Sequence, residues 1–417
     1  MSFFVSRRWI IFFLAAFLFV LSQFYRASVA VISPALMAEL GFDARGLSLV
    51  SAAFFYAFAA MQIPIGLYLD SIGPRITMTV LTLVAVAGAL LFALGHSLTA
   101  LVAGRALLGI GMACNLMGTL KLITLWFGPL RFATLSALVV SVGTAGNIVA
   151  ATPLVLMVDA VGWRGTFLVF AAVNLVLAVV FFLAVRDRPE SPGKVLSASP
   201  APAARKEALD GVRALFAEKD YWIISLGTFC RYGIYAAVQA LWAGPFLMQV
   251  LGVSPVSAGN LLFLMSIGIV VGSPICGWLS DVVIGSRKWV VISGLLGMLA
   301  VLAVFSRIPV GVGFAPLAVL FFGFGVFSSA GQIMYAHIKE RMPIERAGTA
   351  MTGINFFTMA GVAVFLQGLG RLMQRFYPEA ALGAGAFRGA FLFCAGCLLV
   401  TAALYVMTKE TLGRRSR

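Results

Sequence analysis

Arg26 and Arg231 carry more chemistry than any other residues in this chain. Each lies inside a long apolar stretch, and each closes the same three-residue pattern, Phe24-Tyr25-Arg26 and Phe229-Cys230-Arg231. A guanidinium stays charged at any cellular pH and is costly to hold at membrane depth, so such a residue points to a functional site. The 15 Asp and Glu residues all fall in loops or at the ends of apolar stretches. No internal carboxylate is then at hand to neutralise either arginine, and a desolvated charge without a partner is unfavourable. Water and a visiting anion are the counter-ions this pattern predicts. Two planar forks would suit bidentate capture of a carboxylate or phosphate.

Other polar residues sit at the middle of apolar stretches and are candidate substrate contacts: Tyr25, Asn115, Asn147, Tyr235, Gln239, Gln332 and Asn355. Arg231, Tyr235 and Gln239 follow i, i+4, i+8 and would share one helix face as a cavity wall. Each of these is equally compatible with a hydrogen bond between helices. Arg105 could assist binding or proton passage, or it could bond backbone groups of the first apolar stretch. Lys121 lies near a stretch end, where a lysine can snorkel to the interface, or it could line an inner cavity mouth. His96 and His337 are far apart, which argues against a zinc site. No Ser-His-Asp set, phosphate-cradling loop or paired carboxylates occurs in a plausible setting, so neither an enzyme nor a cofactor is expected. The five cysteines all fall in apolar stretches and read as packing residues.

The elements that would position these groups are written in the composition. Of 417 residues, 61% are hydrophobic and 11% charged, against about 25% charged in a soluble protein. Apolar runs of about 20 residues, enough to span a bilayer, recur about a dozen times. We place spans at 12–37, 47–69, 76–95, 98–122, 132–157, 163–185, 221–249, 256–281, 288–306, 312–337, 347–371 and 386–407. Residues 186–219 break the hydropathy with Pro, Ala and charge, and 205–218 could form an amphipathic surface helix. The expected organisation is a six-helix bundle (1–185), a linker (186–219) and a second six-helix bundle (220–417). The net charge of +15 is a topology signal: 20 of the 30 Lys and Arg fall on the side of the N-terminus, six on the other side and four within spans. That bias puts both termini in the cytoplasm and removes the case for nucleic acid. Arg7 and Arg8 precede the first apolar run as in a signal peptide, but no small-residue cleavage pattern follows, so an uncleaved first span is expected.

The two halves repeat each other. Gly66-Leu67-Tyr68-Leu69-Asp70 answers Gly277-Trp278-Leu279-Ser280-Asp281, and Gly109-Ile110-Gly111 answers Gly323-Phe324-Gly325. Trp163-Arg164-Gly165 likewise answers Phe387-Arg388-Gly389. The run from Gly66 through Asp70 and Gly73 to Arg75 resembles the loop between helices 2 and 3 of the major facilitator superfamily. Arg105-x-x-x-Gly109-x-Gly111 resembles that superfamily's helix-4 pattern. The likeness covers the whole chain and implies an all-α membrane protein of twelve transmembrane helices in two pseudo-symmetric six-helix bundles, a monomer in the inner membrane.

The resemblance further implies gating roles for Gly66, Asp70, Gly73, Arg75, Arg105 and Asp281. The Asp70 carboxylate would accept from a neighbouring helix's N-terminal amides, where the dipole favours an anion. Arginines on helices 1 and 7 are similar to those of the organophosphate:phosphate antiporters, although Gln62 stands where that branch has a lysine and helix 5 lacks its histidine. The expected substrate is a small organic anion, a carboxylate or phosphate ester, held by Arg26 and Arg231 between the halves and moved by alternating access. With no titratable acid inside a span, a counter-anion or a proton carried by the substrate would drive it. The rival readings are a drug/cation:proton antiporter, which would want buried carboxylates, and a non-transporting membrane sensor of the same fold.

Overall fold

Start and stop chemistry sets the helix ends. The computed structural model describes residues 2–127, 129–187, 216–341 and 344–411; residues 188–215, including most of the expected surface helix, lie outside them. The described residues are helical with no strand, and ten of the helices are long and apolar enough to cross a membrane. Asp43, Ser97, Ser254 and Ser286 each accept an amide from the first turn of the helix they precede, which satisfies one of that turn's orphan donors.

The chain divides into two compact units, Met1–Ser197 and Ala198–Arg417. In the first, α1 (Ser2–Leu40), α2 (Ala44–Ser71) and α3 (Pro74–Leu94) are followed by α4 (Leu98–Met112) and α5 (Asn115–Phe127), then α6 (Pro129–Val149) and α7 (Thr152–Ala184). Here α3 packs on α4 and α7, α2 on α4, and α1 on α5, α6 and α7. Phe12, Ala16, Phe19, Ile123, Leu135 and Val139 form one apolar cluster where α1, α5 and α6 meet. The outward side of α7 stays apolar, with Val176 and Leu183 61% and 67% exposed, as a lipid-facing surface requires.

The second unit holds α8 (Lys219–Ala237), α9 (Pro255–Trp278), α10 (Arg287–Phe305), α11 (Phe314–Ser328), α12 (Gly331–Arg341), α13 (Ile344–Phe376) and α14 (Ala384–Tyr405). Its main contacts are α8 with α13, α9 with α11, and α10 with α14.

Several spans depart from the uniform helices that hydropathy suggests. The fourth span is broken between Met112 and Asn115, and the tenth between Ser328 and Gly331. The fifth stops at Val149 and resumes at Thr152, where Pro153 offers no amide. It then runs into the sixth through Gly162, whose φ of 71° suits a residue without a Cβ. The seventh continues past α8 through π-helical turns at Val238–Trp242 and Phe246–Val250. Such turns are insertions in the helical ladder and gather at functional sites.

Candidate functional site

The break in the tenth span determines where Arg231 goes. Gln332 N donates to Ser329 O at 3.0 Å and Ile333 N to Ala330 O at 3.1 Å, both i to i+3, so the α-helical partner of the Ser328 carbonyl is diverted. Ser329 Oγ adds to the diversion by donating back to Val326 O at 2.6 Å. Arg231, on α8, supplies the missing donor: its Nη1 is 2.6 Å from Ser328 O and 3.2 Å from Ser328 Oγ. Arg231 is 4% exposed, and its guanidinium carbon lies 5.3 Å from the Tyr232 ring. Its Nε has no hydrogen-bond partner among the described residues, and no carboxylate among them lies within ion-pair distance of it.

The expected stripe on α8 does share one face, but it is used inside the unit. Tyr235 is buried, stacks on Phe324 at 5.9 Å and donates to Met265 O at 3.5 Å. Gln239 Nε2 donates to Ser266 Oγ at 2.9 Å. Gln332 is exposed and Asn355 half-buried.

In the first unit Arg26 is half-buried, its guanidinium 4.2 Å from the Phe58 ring. Tyr25 is buried; its hydroxyl accepts from Asn174 Nδ2 at 2.9 Å and its carbonyl accepts from Arg105 Nη1 at 2.7 Å. Arg105 therefore bonds a backbone group of α1, with its guanidinium 4.9 Å from the Phe54 ring and fully buried. Asn115 Nδ2 donates to Leu18 O at 3.0 Å. Asn147 is half-buried. At the break in the fourth span, Ser22 Oγ donates to Met112 O at 3.2 Å and Gln62 Nε2 to Ala113 O at 3.3 Å. Sequence reasoning singled out neither Ser22 nor Ser328 nor Asn174, because a short polar side chain carries no signal until the helix opposite it is known.

Close helix approaches inside each unit show which residues of the two repeats correspond. A Cβ added at Gly146 would lie 2.0 Å from Val20 O, and one at Gly361 2.2 Å from Phe229 O. One at Gly109 would lie 2.1 Å from Phe54 O, and one at Gly325 2.1 Å from Met265 O. Val20 thus answers Phe229, and two residues on, Ser22 answers Arg231; both donate to the last carbonyl before a break. By the same register Arg26 answers Tyr235. The tripeptide match, which pairs Arg26 with Arg231, is displaced from the packing by four residues, one helical turn or about 6 Å. Similarly Gly109 answers Gly325, not Gly323.

The loop expected to gate is held by contacts with α7 and the residues just after it. Gly73 caps α3 at φ 94°, and the amide of Arg75 donates to Asp187 Oδ1 at 2.7 Å. Asp187, three residues beyond α7, thus accepts an amide of the first turn of α3; the Asp70 side chain, and with it the contact expected of its carboxylate, lies outside the described residues. Arg75 Nε donates to Phe182 O at 2.9 Å, and Lys121 Nζ to Leu69 O at 2.6 Å. Gly66 is exposed with open space around it.

The second unit repeats the device: Arg287 N and Lys288 N donate to the Glu410 carboxylate at 3.0 and 3.2 Å. Asp281 pairs with Arg287, whose Nη2 also reaches Glu340 at 2.9 Å. Asp187→Ala and Glu410→Ala should each lower unfolding stability by about 1 kcal/mol as cap losses. Asp281→Ala, whose carboxylate is 55% exposed, should cost less, under about 1 kcal/mol. Denaturation midpoints in detergent rank the three, and an Asp281 effect larger than the other two would contradict the assignment.

The chain matches the sequence family described as the Major Facilitator Superfamily over residues 12–242 and 224–417. It is 26% identical over 264 residues to the "Probable sulfoacetate transporter SauU" of Cupriavidus necator, covering 61% of each chain, so the alignment spans less than two thirds of that relative. It is 23% identical over 413 residues to a "Probable hexose phosphate transport protein" of Chlamydia trachomatis, covering 94% of this chain and 88% of that one. Among solved structures, a bacterial homolog of the human lysosomal transporter Spinster, inward-facing and unoccupied, superposes with a TM-score of 0.76 over 96% of each chain at 16% identity, which shows a shared fold.

Proposed function

The chain belongs to the Major Facilitator Superfamily, and from that premise we propose that it moves a small organic anion, a carboxylate or a phosphate ester, across the membrane by alternating access. It is a membrane transporter and not an enzyme. The observation that carries the anion reading is Arg231: a permanently charged group, buried, with no carboxylate in range among the described residues. Such a charge is unfavourable until an anion joins it. Arg26 is the candidate cationic contact of the first unit. Tyr25, Tyr235, Gln239 and Asn115 serve as walls, since each already bonds a neighbouring helix.

The printed names of two relatives support the same class, since sulfoacetate and hexose phosphates are both anions. The loops at 70–75 and 281–288 govern closure, and both termini face the cytoplasm. Exchange against a second anion, or a proton arriving with the substrate, drives the cycle.

Proteoliposome uptake tests this reading. Uptake should be inhibited by sulfoacetate, sugar-acid carboxylates or hexose phosphates and be indifferent to lipophilic cations. The reverse pattern, or binding without flux in a counterflow assay, would sink it.

A further inference from the structure

The broken tenth span does more than leave a carbonyl for Arg231. A methyl at Gly331 would lie 1.9 Å from Arg231 Cζ, 2.1 Å from Nε and 2.3 Å from Nη2. The central carbon is the nearest atom, so the face of the guanidinium lies directly on the Gly331 backbone. Nη1 is fixed by Ser328 O and Oγ at 2.6 and 3.2 Å. Nε is buried and has no partner among the described residues. A guanidinium is a rigid fork, so fixing one nitrogen and one face leaves its orientation almost no freedom. The corresponding break in the first unit is served by the neutral groups of Ser22 and Gln62, and Asn115 stands where Gly331 would be. Among the described residues, only those of the second unit combine the break, the charge and the cleared face.

We propose that Ser328 and Gly331 are positioning residues that aim the Nε edge of Arg231 at an oxyanion, so that the break in the tenth span presets the geometry of anion capture. An aimed donor edge binds more tightly than a mobile one because ordering it costs nothing at the moment of binding. Ser328 contributes chiefly through its carbonyl, which no side-chain change removes; Gly331 contributes by lacking a Cβ. The inference rests on Arg231 being the anion contact, and the experiment separates the two ideas.

The test is a double-mutant cycle with inorganic sulfate and phosphate as probes, read by thermal shift and by competition against uptake. Both anions should raise the melting point of the wild type in a concentration-dependent way. Gly331→Ala should weaken their apparent affinity at least tenfold, while Ser328→Ala should weaken it no more than about threefold. In an Arg231→Ala background, Gly331→Ala should change neither oxyanion response nor apo melting point for the worse, because the clash it creates is gone.

If Gly331→Ala binds oxyanions like the wild type, or destabilises both backgrounds equally, the aiming role is wrong and Gly331 is only a packing glycine. If sulfate and phosphate leave the wild type unshifted, the edge is not open to oxyanions and the proposal falls. Full uptake by Arg231→Ala would overturn the anion reading itself, which is a different failure.

Discussion

Arg231→Gln is expected to abolish anion uptake while leaving the apo protein as stable as the wild type, or more so. Losing one partner of a buried charged contact costs about 2–5 kcal/mol of ligand binding, at least about thirtyfold in affinity. Stability moves the other way. Holding a guanidinium in an apolar interior without a carboxylate costs several kcal/mol in desolvation. Leaving Ser328 O without its donor costs about 1–3 kcal/mol. The first magnitude is at least as large as the second, so the neutral variant should melt no lower than the wild type in detergent. It should also lose any oxyanion-dependent rise in melting point. A large drop in melting point with uptake retained would show that Arg231 is a tie between helices and nothing more.

The second large effect concerns how closely helices approach. Gly109→Leu and Gly325→Leu should each prevent recovery of folded protein, and even Ala at either position should cost about 1–3 kcal/mol. The atoms a Cβ would meet are backbone carbonyls, Phe54 O and Met265 O, each at 2.1 Å, so no side chain can swing away and a whole helix must shift. Gly323→Ala is the internal control. Its added Cβ would meet nothing nearer than Phe327 at 3.9 Å, so folded yield and melting point should hold. Equal damage at Gly323 and Gly325 would remove the packing register that pairs Gly109 with Gly325.

That control also separates what could be read along the chain from what could not. Gly109-Ile-Gly111 and Gly323-Phe324-Gly325 look alike as sequence, and so do the two Phe-x-Arg patterns. Which member of each pair meets its neighbour depends on helix rotation and breaks, and the two units differ there by two residues in one helix and four in another. The Arg75 amide meets Asp187, more than a hundred residues away, a partner that nothing along the chain signals. Arg105 could have faced a cavity or a backbone; the packing of α4 beside α1 sets it on Tyr25 O.

The amino-acid sequence by itself determined the membrane-spanning class, the helices, the polar segment between the apolar halves and the two arginines set inside apolar stretches. These follow from local hydropathy, caps and residue type, which any segment carries alone. Tertiary structure decided where the fourth and tenth spans break, which side chain serves each stranded carbonyl, and which glycine faces the guanidinium. A backbone group released from its own helix must find a donor across space, and only the packed arrangement determines which one is within 3 Å.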